Sequence, residues 1–207
     1  MSRKSHWEEI YTGRTPGQLS WFQDRPEPSL SLIRACGLDP DTRIIDVGGG
    51  SSKLVDHLLD AGCTNVTVLD LARHPLEQSR ARLGDRARAV EWIVADVTAF
   101  DPPHPWHVWH HRAVFHFLTE AEERDRYRET LTRALVPGGH AVIATFAPTG
   151  PTRCSGLDVV RYSAESLLRE LGPEFELLDA CEEQHTTPDG VMQPFTYGRF
   201  RRSGPGS

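Results

Sequence analysis

Three carboxylates and a run of glycines are the residues of this chain best suited to hold a polar ligand. Asp46 closes the apolar stretch 42–47 and leads into Gly48, Gly49 and Gly50, then Ser51 and Ser52. Asp70 ends a second apolar stretch, and Asp96 ends a third. A strand that breaks into glycines and restarts as a helix opens many nucleotide-binding α/β sheets. The glycines admit a ligand close to the backbone, and the free N–H groups of the helix start favour a polar or anionic partner. A dinucleotide fingerprint requires glycine at the last place of G-x-G-x-x-G. Counted from Gly48 that place is Lys53, so a nicotinamide cofactor is disfavoured at its own motif. About 20 residues beyond such a loop, a carboxylate in the position of Asp70 can accept from both hydroxyls of a ribose. The plain alternative is a glycine turn joining strand to helix, with each Asp a cap or turn residue. The order of the three acids, each at the carboxyl end of a strand, argues for ligand binding at that edge.

The loop resembles the first motif of class I S-adenosylmethionine-dependent methyltransferases, in which an acid precedes a G-x-G turn. Asp46, Gly48 and Gly50 match it position by position. The resemblance implies S-adenosylmethionine as cofactor. Its methionine part would lie along Gly48, Gly49, Gly50 and Ser51, its ribose at Asp70 and Leu71, and its adenine amino group at Asp96 and Val97. The Pro137-Gly138-Gly139 turn before an apolar strand is similar to the same family. Residues 106–118 resemble a subset that includes seven-strand protein-lysine methyltransferases reading W-H-D-R-x-x-x-H-F. Trp109, His110, Arg112, His116 and Phe117 match, whereas His111 replaces the acid, and His107 stands where the family often has Asp. The implied activity is methyl transfer to a nucleophilic N, O or S atom of a small molecule or a protein side chain such as lysine. Two other readings stay open: an NAD(P)-binding oxidoreductase, and an S-adenosylmethionine-binding regulator that has lost catalysis along with those acids.

Methyl transfer from a sulfonium needs alignment and, for some acceptors, removal of a proton. His111, Arg112 and His116 follow the fourth strand directly, so they are expected to line the methyl-transfer pocket, with one histidine as base or substrate orienter. Tyr11 and Trp21, with Trp7 and Phe22, are expected to wall the cofactor, since aromatic faces favour cationic groups. Five histidines between His104 and His116 raise a metal site, but strand alternation sends them to opposite faces and no acid or cysteine completes a set. No metal is expected. Cys154, in the Pro/Gly-rich loop after the fifth strand, is read as a buried small residue.

These groups must be positioned by alternating strands and helices. The pattern predicts a doubly wound α/β sheet of seven mostly parallel strands with an N-terminal helical cap, and the family resemblance implies that the last two strands form a C-terminal antiparallel hairpin. Residues 1–40 form the cap, 41–202 the binding domain and 203–207 a flexible tail. Helices are expected over 29–36, 52–61, from Pro75 to Gly84, from a Thr119/Glu122 capping box to Leu135, and from Ser163 to Leu171. The final strands are read at 175–178 and 195–200, joined by a long loop near 185–193. A formal charge of −6 and pI of about 5.9 disfavour a constitutive nucleic-acid binder. No apolar run approaches a membrane span and no signal segment opens the chain. Four scattered cysteines suit a reducing compartment, so a cytoplasmic location is expected.

Overall fold

The computed structural model describes residues 2–204; residues 205–207 of the expected tail lie outside them. The chain runs α1 (Arg3–Thr12), α2 (Glu27–Arg34), β1 (Ile44–Val47), α3 (Leu54–Asp60), β2 (Val66–Asp70), α4 (Arg73–Leu83), β3 (Val90–Val94) and β4 (Trp106–Arg112). It continues through α5 (Ala121–Ala134), β5 (Leu135–Phe146), a short ribbon β6 (Arg153–Cys154) and β7 (Leu157–Asp158), α6 (Ala164–Leu171), β8 (Phe175–Thr186) and β9 (Met192–Arg202). Seven strands form one sheet in the order β3-β2-β1-β4-β5-β9-β8. The first five are mutually parallel; β9 runs antiparallel between β5 and β8. This is the expected topology, terminal hairpin included.

Helices cover both faces, which is why the central strands are continuously apolar rather than alternating. Leu30 and Ile33 of α2, Leu54 and Leu58 of α3 and Leu76 of α4 pack on one face. Tyr127 and Leu131 of α5 and Leu167 and Leu171 of α6 pack on the other, around Trp106 and Trp109. Within the segment expected to be a cap, α2 packs in the sheet core, whereas α1 and the loop carrying Trp21 lie over the carboxyl edge.

Specific polar contacts dock α1. No side chain of its own caps α4; instead the Glu8 carboxylate of α1 accepts from Arg73 N (2.7 Å) and His74 N (3.2 Å). Arg3 pairs with Glu123 at the start of α5 at 2.6 Å. No helix among the described residues is long and apolar enough to cross a membrane.

Some boundaries differ from the sequence reading. The Thr119/Glu122 capping box does not form: the residue before α5 is Glu120, which caps nothing with its side chain. The loop expected near 185–193 shrinks to the five residues between β8 and β9, because pairing extends through Thr186↔Met192. The α6 prediction holds, with the Ser163 side chain accepting from Ser166 N.

Candidate functional site

A cleft opens at the carboxyl edge where the sheet order reverses between β1 and β4, the place where open α/β sheets bind ligands. It encloses about 760 Å³, mouth included, and its walls come from the ends of β1 (Gly48), β2 (Asp70, Leu71), β3 (Asp96, Val97) and β4 (Arg112, Val114). Trp7, Tyr11 and Trp21 close it from the N-terminal side. They meet edge to face or tilted, with ring centroids 5.7–6.3 Å apart. This brings Tyr11, Trp21, Gly48, Asp70, Leu71, Asp96 and Val97 together on the wall of one cavity.

The glycine turn is shaped by what it must avoid. A Cβ at Gly48, whose φ is +68°, would lie 2.3 Å from Val114 Cγ2, and one at Gly50 would lie 2.9 Å from both Asp70 Oδ2 and Tyr11 Oη. The turn is also tied from behind by α4. Ser79 Oγ donates to Gly50 O (2.8 Å), and Arg82 donates to Ser51 O (3.1 Å), Ser52 O (2.7 Å) and Asp56 (2.8 Å). The loop is thus held in place by the protein alone.

The three acids have different surroundings. Asp70 is almost fully buried and its Oδ1 accepts from Ala72 N at 2.9 Å. Burial, with the Asp46 and Glu8 charges adding to it, pushes its carboxyl up to about 7. A pair of ribose hydroxyls could donate to this group. Asp96 spends one oxygen on an Asx turn, accepting from Thr98 N (2.9 Å) and Thr98 Oγ1 (2.8 Å), as well as lining the cleft. Asp46 faces away from that cleft. Its register partner on β4 is His110, so the two side chains meet on one face, Nδ1 to Oδ1 at 2.7 Å, with His110 Nε2 2.9 Å from Ser29 Oγ. Together with Gly49 and Ser51, Asp46 lines a second cavity of about 520 Å³ on the α2 side. Trp21, Gly48 and Arg112 belong to both cavities.

The expectation for the β4 histidines requires correction. Arg112 lines the cleft, but His111 and His116 are not on its walls. His111 points to the opposite face of the sheet, where it stacks on Tyr127 (centroids 5.4 Å, interplanar 16°) with Nε2 3.3 Å from Tyr127 Oη. His116 is fully buried against Phe146, its Nδ1 accepting from Phe146 N at 3.3 Å. Burial holds the His111 imidazole well below its usual range and takes His116 down to about 3, with Arg112 adding to the latter. Both rings are neutral near pH 7 and poor proton acceptors. Of the remaining histidines, His107 Nδ1 accepts from Arg43 N (2.9 Å) and His104 packs on Trp106.

Sequence reasoning missed several wall residues. Val114 and Leu118 gave no signal, being apolar residues without a period. Arg3 stands at the mouth, already paired with Glu123. Ala113 has φ of 59°, a conformation costing an alanine about 1–2 kcal/mol, and this turn carries Val114 against Gly48. Cys154 is buried as expected, but it also lines the cleft.

The lining fits S-adenosylmethionine on the structure's own terms: a glycine cradle, a buried carboxylate, a second acid and an aromatic wall. Comparison with known proteins points the same way. Residues 45–141 match the family described as Methyltransferase domain. A 98-residue stretch is 28% identical to the eEF1A lysine and N-terminal methyltransferase of Xenopus laevis, covering 45% of this chain and 13% of that protein. The mouse protein of the same name is 22% identical over 98 residues, covering 47% and 14%. The match thus spans about an eighth of the length of these curated relatives. Among solved structures, a protein described under the conversion of a disulfide bond into a thioacetal group during echinomycin biosynthesis superposes with TM-score 0.78 at 18% identity, covering 100% of this chain and 94% of that one. The N-methyltransferase NodS of Bradyrhizobium japonicum, in complex with S-adenosyl-L-homocysteine, gives TM-score 0.69 at 16% identity, covering 94% and 97%. At such identities the superpositions speak to the fold.

Proposed function

We propose that this chain, which belongs to the class I S-adenosylmethionine-dependent methyltransferases, transfers the cofactor's methyl group to a nucleophilic N, O or S atom of a small molecule or a protein side chain. The observation that carries the reading is the convergence of Gly48, Asp70 and Asp96 on one apolar cleft at the sheet's switch point.

Asp70 would hold the ribose diol and Asp96 the adenine amino group, while Gly48–Gly50 admit the methionine part close to the backbone. When bound, S-adenosylmethionine supplies an electrophilic sulfonium methyl. The chain contributes position: Trp7, Tyr11 and Trp21 screen the reacting end from water, and their faces favour a cation. No histidine of β4 reaches the cleft as a base, and burial keeps the Cys154 thiol and the Tyr11 hydroxyl above their ordinary pKa values. This supports an acceptor that arrives as a ready nucleophile, such as a neutral amine or a thiolate, with catalysis by alignment. A protein-lysine acceptor is the narrower reading, resting on the relatives named above.

Calorimetry with S-adenosylmethionine, S-adenosylhomocysteine and NAD tests the cofactor, and labelled methyl transfer into metabolite and protein fractions tests the acceptor. Binding of NAD alone would replace this reading with an oxidoreductase. Cofactor binding without label in any fraction would leave a catalytically silent binder.

A further inference from the structure

We infer that Arg112 is a carboxylate receptor at the inner end of the cleft, where the nucleoside cavity meets the second cavity on the α2 side. The inference rests on the reading of the cleft as a cofactor site and adds a charge requirement to it.

The sheet itself presents the guanidinium. Arg112, Ala144 and Tyr197 lie in one row across β4, β5 and β9. The small Ala144 lets Tyr197 reach over it, so Arg112 Nε donates to Tyr197 Oη at 2.8 Å. Nη1 donates to Trp21 O at 2.8 Å, and the Phe195 ring packs on the guanidinium with its centroid 4.1 Å from Cζ. Three contacts therefore fix the side chain, which is 9% exposed. Its Nη2 is buried and has no hydrogen-bond partner.

An unspent donor on a buried cation is costly to leave unmade, so its neighbours matter. The nearest acid is Glu183, with Oε2 at 3.6 Å from Nη2, too far for a hydrogen bond. Both Glu183 oxygens are engaged elsewhere, Oε1 accepting from Gln23 Nε2 (2.6 Å) and Oε2 from Tyr197 Oη (2.7 Å). Glu183 lies on neither cavity wall, whereas Arg112 lies on both. The other cation of the cleft, Arg3, is already paired at 2.6 Å. Asp70 and Asp96 are committed to the nucleoside in the proposed reading. Of the two arginines on the cleft wall, Arg112 is thus the one with an unused donor, and the planar guanidinium edge suits a carboxylate.

A carboxylate could come from the amino-acid end of the cofactor or from the acceptor, and two arms of one experiment separate them. In the first, wild type, Arg112→Gln and Arg112→Lys are titrated with S-adenosylhomocysteine and with 5′-methylthioadenosine, which lacks the amino-acid end. In the second, the same proteins loaded with S-adenosylhomocysteine are titrated with matched pairs, each an amino acid and the amine without its carboxyl group. Thermal melts confirm that each variant is folded.

If the cofactor supplies the group, Arg112→Gln weakens S-adenosylhomocysteine about 10- to 100-fold and leaves 5′-methylthioadenosine unchanged, with Arg112→Lys between. If the acceptor supplies it, cofactor affinity is unchanged, and loaded wild type prefers the carboxylate member of a pair in a way the Gln variant loses. Equal loss of both nucleosides, or no difference in either arm, overturns the inference. Failure of wild type to bind any of the nucleosides instead overturns the cofactor reading beneath it.

Discussion

Replacing Asp70 with Asn separates two effects of that carboxylate that have opposite signs. The side chain is nearly fully buried, and its carboxyl is pushed from 3.8 up to about 7, chiefly by burial. That is about three pH units, and at about 1.4 kcal/mol per unit it sets a ceiling of about 4 kcal/mol. The folded state keeps this proton to a higher pH than the unfolded state does. Through this group, stability therefore falls as pH rises from about 4 to about 7, and the penalty is fully present above that. Asp70→Asn is isosteric, can still accept from Ala72 N, and carries no charge. Its stability advantage over wild type should be about 1 kcal/mol at pH 4.5 and grow to about 4 kcal/mol at most by pH 8. Cofactor binding should move the other way, because two charge-assisted hydrogen bonds to the ribose hydroxyls, each worth about 1.5–3 kcal/mol, are weakened. A loss of about 10- to 100-fold in S-adenosylhomocysteine affinity at pH 8 is expected. Urea melts of both proteins from pH 4.5 to 8.5, with calorimetry at each end, provide the assay. Other titrating groups are common to both proteins and cancel in the difference. A stability difference that does not vary with pH would refute the burial argument, and unchanged affinity would refute the ribose assignment.

The buried histidine pulls the pH profile in the opposite direction. His111 titrates well below its usual value when folded, so the unfolded chain takes the proton first and stability falls as pH drops below about 6.5. His111→Phe, which keeps a ring against Tyr127, should gain about 2 kcal/mol on wild type between pH 7.5 and pH 5 in denaturant melts. Gly48→Ala should weaken cofactor binding and lower stability by about 1–3 kcal/mol, because its Cβ meets Val114 Cγ2 at 2.3 Å in a positive-φ turn. Adding Val114→Ala should restore part of that loss, the conformational share remaining, and melts showing no restoration would place the strain elsewhere. His110→Ala removes the hydrogen-bond partner of the buried Asp46 side chain and should cost about 1–3 kcal/mol; no measurable cost would mean the pair is unimportant to the fold.

What the sequence determined by itself is what depends on local pattern. The run from Ile44 through Gly50 can only be a buried strand breaking into a turn, since β-branched residues, an acid and three glycines leave few other conformations. Asp70 and Asp96 are readable because a parallel sheet places every strand's carboxyl end on one edge, so position in sequence fixes position at the site. The Ser163 cap follows from the same kind of local evidence, whereas the terminal hairpin was implied by the family resemblance. Tertiary structure decided what alternation alone leaves open. Alternation along β4 sends 110 and 112 to one face and 111 to the other, but helices bury both faces of a central strand, so nothing local says which face meets the ligand. Contacts 64 and 85 residues away settle it: Asp46 takes His110, Tyr197 takes Arg112, and α5 supplies the Tyr127 ring that claims His111. The same distance hid the unspent donor of Arg112, whose partners arrive from the N-terminal loop and from the last two strands. A residue's chemistry is written where it stands in the chain; its solvation and its partners are not, because folding brings them from elsewhere.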